Sequence, residues 1–449
     1  MLMRNVVLLV FIAFVTGACS SESDSDTGVV TSSSGNGIKI HSWQTANGAK
    51  VMYVNAPQLP MVDIRLVFNA GSARDGEQKG LARLTNSMLS QSAGNWSTDQ
   101  IAERFEEVGA NFSVSSLRDM ATLTLRTLTD TALLKQSIDT FKTVLTQPLF
   151  NEDELKRKKA HQLIAIQNQL QSPGSIAKNT FYQGIYSEHA YGHPEIGTKE
   201  TVTVLSQDDL MTFYKRYYVT KNMTIAIVGN VDQKQARQLA DELTADLQQG
   251  VKANKIPEMV FAKKAQLKHK DYEATQTHIL VGQLGMKRGD SDYYDLYVGN
   301  HILGGSGFGS RIMQEIREKR GLAYSSYSYF RPMQANGPFI MGLQTKTAKT
   351  QEALEVLNDT LLDFIKNGPT KEELEHSKKN ITGGFPLRVD SNKDISEYLA
   401  VIGFYDLPLD YLNTFNDKVN AVTVESIKDA FNRRVHPDKL LTVTVGRAR

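Results

Sequence analysis

Cysteine occurs once in 449 residues, at position 19. A lone cysteine excludes an internal disulfide, a four-cysteine zinc site and a redox pair. An excess of either charge is also missing. The 51 Lys and Arg face 49 Asp and Glu, a net charge of +2. Such balance provides no global field for a polyanion, and nucleic acid is excluded as an expected partner. The longest apolar run, Val6 to Val15, has ten residues, against the roughly 20 a bilayer-spanning helix needs. Hydrophobic residues make up 41% and charged residues 22%, which excludes disorder throughout and a coiled coil. The length suits two to four domains and a core that needs no disulfide or metal staple.

The ten-residue run follows a single cation, Arg4, and leads into the small residues Thr16-Gly17-Ala18. A charged start, a short apolar core and a small-residue exit form a secretory signal over residues 1–18. Cys19 directly after it resembles a bacterial lipoprotein signal. That resemblance implies that Cys19 is acylated and anchors the mature chain to a membrane. The expected location is the bacterial periplasm, with Ser20 favouring the outer membrane; plain secretion is the alternative. Residues 19–37 are rich in Ser, Asp, Thr and Gly and read as a flexible tether.

Beyond the tether, helical and strand patterns interleave. Val62, Ile64, Leu66 and Phe68 alternate as one face of a half-buried strand. Leu81, Leu84 and Met88 form a helical stripe. Ser97 and Gln100 are spaced as a capping box, and Gly109 stops the helix they open. Thr122 to Arg126 alternates as a strand, and Leu134, Ile138, Phe141 and Leu145 mark a further amphipathic helix. Two landmarks then recur. Asn151 to Leu155 returns as Thr370 to Leu374, 219 residues on, and the strand ending at Gly229 returns as one ending at Gly446, 217 residues on. One period for two independent landmarks argues for a duplicated α+β domain. The expected divisions are 38–247, a polar and basic linker over 248–270, and 271–449.

Of nine histidines, only His189 and His193 have ligand-like spacing, but Gly192 and Pro194 oppose the helix that would align them, so a structural loop is expected. The Gly304 to Ser310 stretch lacks the lysine of a phosphate loop and reads as a close-packing or substrate-facing turn. Arg311 to Glu318 reads as a helix stopped at Gly321, followed by a strand bearing Tyr324, Tyr327 and Tyr329. On the residues alone, Arg317 fits a surface ion pair and Tyr324 a packed strand aromatic.

This stretch resembles a motif in the C-terminal half of the pitrilysin/insulinase family of zinc peptidases, whose members are built of duplicated α+β domains, each a mainly antiparallel sheet packed by helices. The resemblance implies that Arg317 donates to peptide carbonyls and that the Tyr324 hydroxyl donates to the scissile carbonyl oxygen as charge develops there. It extends over nearly the whole mature chain. In the family's first half, Gly-Leu-Ala precedes the inverted zinc motif His-x-x-Glu-His. Here Gly80-Leu81-Ala82 is present, but the five motif positions read Arg83-Leu84-Thr85-Asn86-Ser87. The third ligand, an acid, should fall near Ile164-Ala165, where there is none. Catalytic zinc needs three protein ligands and an open position. Arg83 brings a fixed positive charge, Asn86 cannot take a proton, and Ser87 is a poor ligand, so no metal is expected on this chain.

The resemblance is to the zinc-less subunit of two-subunit bacterial and mitochondrial processing peptidase-like members. It implies a non-catalytic partner that supplies Arg317 and Tyr324 to a homologous zinc-bearing subunit acting on peptides, with the zinc held by that partner. Gly304, Gly305, Phe308, Phe385 and Arg388 are the expected substrate-facing residues. The alternative is a stand-alone peptide-binding or structural assembly protein.

Overall fold

The computed structural model describes residues 30–31, 37–260 and 262–447. The signal, Cys19 and most of the tether lie outside the described residues. Within the expected tether, β1 (Val30–Thr31) pairs with β2 (His41–Gln44). The N-terminal half continues with β3 (Lys50–Asn55), β4 (Met61–Phe68), α1 (Leu81–Met88), α2 (Thr98–Glu106), β5 (Asn111–Ser116), β6 (Ala121–Leu128), α3 (Thr131–Thr146), α4 (Glu152–Leu170), α5 (Pro173–Tyr186), α6 (Lys199–Val204), α7 (Gln207–Tyr217), β7 (Met223–Gly229) and α8 (Gln233–Thr244). The C-terminal half contains β8 (Gln266–Asp271), β9 (Gln276–Leu284), α9 (Tyr293–Asn300), α10 (Arg311–Met313), β10 (Ser326–Phe330), β11 (Pro338–Lys346), α11 (Thr350–Asn367), α12 (Lys371–Gly384), α13 (Asn392–Phe404), α14 (Tyr411–Ala421), α15 (Val424–Arg434) and β12 (Leu441–Gly446).

The strands form two sheets. Their orders are β1-β2-β3-β7-β4-β6-β5 and β10-β11-β9-β12-β8. Read from the opposite edge, the second sheet repeats β3-β7-β4-β6-β5 of the first strand for strand. In each, the edge pair β3·β7 or β8·β12 is parallel and the rest antiparallel. The α+β duplication read from the two landmarks is therefore the architecture. The helix that opens at Ser97 has its capping box with Gln100, as expected.

Three features were not in the sequence reading. The linker is shorter than 248–270, because Gln266–Lys270 already belong to β8. β4 is buried on both faces rather than one: Asp63 and Val67 are as inaccessible as Ile64 and Leu66. Third, the two halves are not self-contained. α13 of the C-terminal half packs on β7 and β4, and α5 of the N-terminal half packs on β12 and β9. This exchange is what covers the second face of β4.

Two glycines permit the close approach. A Cβ on Gly403 of α13 would sit 2.5 Å from Thr224 Cγ2 and 2.9 Å from Met52 Cγ. A Cβ on Gly184 of α5, 219 residues earlier, would collide with Leu441. The ends of the same helices are tied symmetrically. Tyr186 donates to the Asn336 carbonyl oxygen at 2.8 Å, and Tyr405 to Asp119 Oδ2 at 2.9 Å. Asp119 also accepts from the Gln334 N–H at 2.8 Å and from the Tyr191 hydroxyl. It is thus a buried carboxylate joining the β5–β6 turn to the β10–β11 turn of the other half.

Overpacking a tight helix–sheet contact costs about 1–3 kcal/mol. Gly403→Val is expected to lower the urea midpoint of unfolding accordingly. An unchanged midpoint would show that the α13 contact is not as close as described.

Candidate functional site

α1 carries the five positions where the family's zinc motif would lie. The reason for this helix is its apolar stripe: Leu81, Leu84 and Met88 are buried in the N-terminal core. Its start is fixed by Gly80, whose φ of 93° suits glycine. Fully buried Asp75 accepts from the N–H groups of Gly80 and Ala82, each at 2.7 Å, an arrangement favoured by the positive end of the helix. Gln162 of α4 secures the same point by donating to the Ile196 carbonyl at 2.8 Å and to that of Gly80 at 3.3 Å. Neither Asp75 nor Gln162 stood out in the sequence, since side-chain bonds to backbone amides leave no periodic signal.

The three positions where the motif would place its histidines and glutamate have different tasks. Arg83 is exposed. Asn86 is buried, and its Nδ2 donates at 2.6 Å to the carbonyl of Ser115 on edge strand β5, leaving Oδ1 without a partner. Ser87 donates back to the Leu84 carbonyl at 2.9 Å. At the expected third-ligand position, Ile164 is 62% exposed. This set does not fit zinc: it offers one guanidinium, one amide engaged as donor and one hydroxyl satisfied by its own helix. Among the described residues no three His, Cys, Asp or Glu side chains gather as a metal site. His189 and His193 lie in the loop after α5. Their rings reach the Pro257 carbonyl, and the carbonyls of Ser72 and Pro194, respectively.

The second set of expected residues is brought together in part. α10 runs on through a widened turn, Gln314–Glu318, and ends at Gly321, where φ is 59°. The Leu322 N–H bonds to the Ile316 carbonyl at 2.8 Å, and Thr345 donates to the Leu322 carbonyl at 2.6 Å. These bonds hold the descending chain. Tyr324 precedes β10 instead of lying in it, and the strand opens at Ser326. Its side chain is 85% exposed, so it is not a packed strand aromatic. Arg317 Nη1 donates to the Tyr324 carbonyl at 3.0 Å, and its guanidinium lies 4.6 Å from the centre of the Phe308 ring. Its ion pair with Glu318 is loose, at 3.6 Å. Arg317, Tyr324 and exposed Phe308 are one cluster.

Other expected substrate-facing residues do other things. Gly304 is buried, and a Cβ there would strike Ser328 of β10, so it serves close packing. Gly305 is exposed beside Asn300. Phe385 is largely buried in the C-terminal core, stacked on Phe415 with centroids 4.3 Å apart, and its remaining surface lines an open groove of about 970 Å³ shared with Ile38, Val54 and Met61 of the N-terminal half. Arg388 is exposed and donates to the Tyr297 hydroxyl at 3.0 Å.

Comparison with known proteins places this arrangement. Residues 50–199 match the family described as Insulinase (Peptidase family M16), and residues 205–381 match the Peptidase M16 inactive domain. A crystal structure described as a peptidase M16 inactive domain from Pseudomonas fluorescens is 38% identical. The match covers 91% of this chain and 98% of that one, with a TM-score of 0.89. The chain belongs to peptidase family M16. The Non-peptidase homolog YmxG of Helicobacter pylori is 28% identical over 86% of this chain and 89% of that protein. The "Uncharacterized zinc protease YmxG" of Bacillus subtilis is 26% identical over 86% and 94%. A chain of complex III2 from Candida albicans shares the fold, with a TM-score of 0.75 at 16% identity, over 91% and 96%. With α1 as described, this M16 chain is a non-catalytic member of its family.

Burial raises the Asp75 carboxyl from 3.8 to about 7, against the two amide bonds that favour its charge. The folded state therefore holds this proton more tightly than the unfolded chain does. The associated stability is fully present below about pH 4 and is lost as pH rises through about 7. Asp75→Asn removes that component. In denaturant titrations, the stability of wild type relative to Asp75→Asn is expected to fall between pH 4 and pH 8, and a pH-independent difference would contradict the assignment.

Proposed function

We propose that this M16 chain is the non-catalytic subunit of a two-subunit zinc endopeptidase, paired with a homologous subunit that holds the metal. The carrying observation is the exposed Arg317–Tyr324 cluster. The Tyr324 side chain is 85% exposed, while its main chain is clamped by Arg317. Such a hydroxyl is positioned by backbone and open to an incoming carbonyl. Peptide substrate adds main chain to main chain at a sheet edge. Arg317 then donates to a peptide carbonyl, and the Tyr324 hydroxyl donates to the scissile carbonyl oxygen as negative charge grows there. A pure scaffold has no use for a free tyrosine hydroxyl beside a loosely paired arginine, which disfavours the assembly-protein alternative. The N-terminal signal and Cys19 support export and lipid anchoring, which puts the pair in the periplasm, at the outer membrane.

The test is reconstitution with a zinc-motif-bearing M16 homologue from the same source. Peptide cleavage is expected from the mixture and from neither chain alone, with no stoichiometric zinc in this chain. Chelator-sensitive cleavage by the isolated chain would overturn the reading. In the mixture, Tyr324→Phe and Arg317→Ala are each expected to lower turnover by about tenfold to a thousandfold, the scale of losing one oxyanion donor. Unchanged turnover in both would remove the roles assigned to them.

A further inference from the structure

The C-terminal half holds a pocket that shares no residue with the Arg317–Tyr324 cluster. It lies where the β9–α9 loop and the start of α9 meet α14 and the turn before it, and its volume is about 340 Å³, enough for a small organic ligand. The sequence places aromatic residues at both helix starts, Tyr293 and Tyr294 on α9 and Tyr411 on α14. With Leu407 these rings form the pocket's apolar wall.

Two cations line the same pocket, Arg288 from the β9–α9 loop and Lys418 from the last turn of α14. Lys418 Nζ lies 5.6 Å from the centre of the Tyr294 ring, and the Arg288 guanidinium 5.7 Å from that of Tyr405. Among the described residues, neither has a carboxylate within ion-pair distance. The one acid in the lining, Asp290, is already held by Arg434 at 2.6 Å. Asp410, next in the chain to Tyr411, is not part of the lining. Two further observations point the same way. Arg288 Nε and the Tyr294 hydroxyl are buried and have no hydrogen-bond partner. Buried polar groups are normally satisfied, and both of these can donate, so what they lack is an acceptor.

We propose that this pocket binds a carboxylate carried on an aromatic ring, with the ring among Tyr293, Tyr294 and Tyr411 and the carboxylate accepting from Arg288 and Lys418. Aromatic walls favour a ring through buried area and through offset or edge-on contacts. Bonds from a guanidinium and an ammonium to a carboxylate are of the stronger, charge-assisted kind. The charge of the lining selects the sign of the ligand. A free arylcarboxylate and the terminal carboxylate of a peptide ending in phenylalanine carry the same chemistry.

The test is titration calorimetry of the full chain with phenylpropionate, phenylpropanamide and phenylethylammonium. Saturable binding of the acid is expected, weakening with salt, with the amide bound about tenfold or more less tightly. Arg288→Gln and Lys418→Gln are each expected to weaken the acid by about tenfold and to leave the amide unchanged, a split that a merely structural role would not produce. Lys418 lies on a helix surface without an ion pair, so its variant keeps the test open if Arg288→Gln does not fold. No binding of the acid, equal binding of acid and amide, or acid binding indifferent to both substitutions overturns the proposal. So does preferential binding of the ammonium, which assigns the pocket to Asp410. N-acetyl-triglycyl-phenylalanine separates the two sources. Tighter, Lys418-dependent binding than phenylpropionate supports the site as a seat for a peptide end, and weaker binding supports it as a seat for a free acid.

Discussion

Each half lends one helix to the other's sheet, and the rest of the molecule is arranged around that exchange. α13 and α5 press against foreign sheets at Gly403 and Gly184, where there is no room for a side chain. The strands beneath them must then be apolar on both faces. That is why β7 is buried along its length and why Asp63 is buried with Arg126 at 3.0 Å as its counter-ion. Burial of this kind favours the folded state through apolar area. It also commits the buried polar groups to partners, because an orphan in such a place is costly. Asp119 is the clearest case, holding a turn of its own half, a turn of the other half and the end of a borrowed helix.

The same reasoning explains how a zinc-motif helix outlives its chemistry. On α1, the residues that pack and the residues that would bind metal occupy different sides. Leu81, Leu84 and Met88 fill the core whether or not an ion is bound. Asp75 and Gln162 secure the start of the helix through backbone groups, which do not depend on the motif side chains. Asn86 acquires a structural task, tying α1 to edge strand β5. The Arg317–Tyr324 cluster is held in a different way, by a glycine-ended turn and by main-chain bonds, with the Tyr324 side chain left facing solvent and Arg317 half-buried against Phe308.

Much of this was legible in the residues. Periodicity and capping located β4, α1, α2 and α3, and the recurrence of two landmarks disclosed the duplication. The Arg83, Asn86 and Ser87 positions could be judged from side-chain chemistry alone. Periodicity reports which residues are apolar but not which half covers them, so the helix exchange was invisible and β4 read as half-buried. Gly304 and Phe385 were hard to assign for a related reason. A glycine-rich turn and a conspicuous Phe-Pro pair look alike whether they face a ligand or a core, and only Ser328 and Phe415 decide between the two. The linker was drawn too long because Gln266 to Asp271 is an exposed edge strand. Polar, lysine-rich composition there signals protection against edge pairing as readily as it signals a loop.

The traded helices also bear on how such a chain could have arisen. Two copies of a half-length ancestor, each offering one helix to its twin, would assemble into this same outline, joined where Gln334 meets Asp119. Fusing them end to end adds only the covalent stretch between α8 and β8 and alters none of the packing. Once joined, the copies are free to diverge separately, one losing its metal-binding side chains while the other keeps its arginine and tyrosine, because the clasp that unites them draws on neither set.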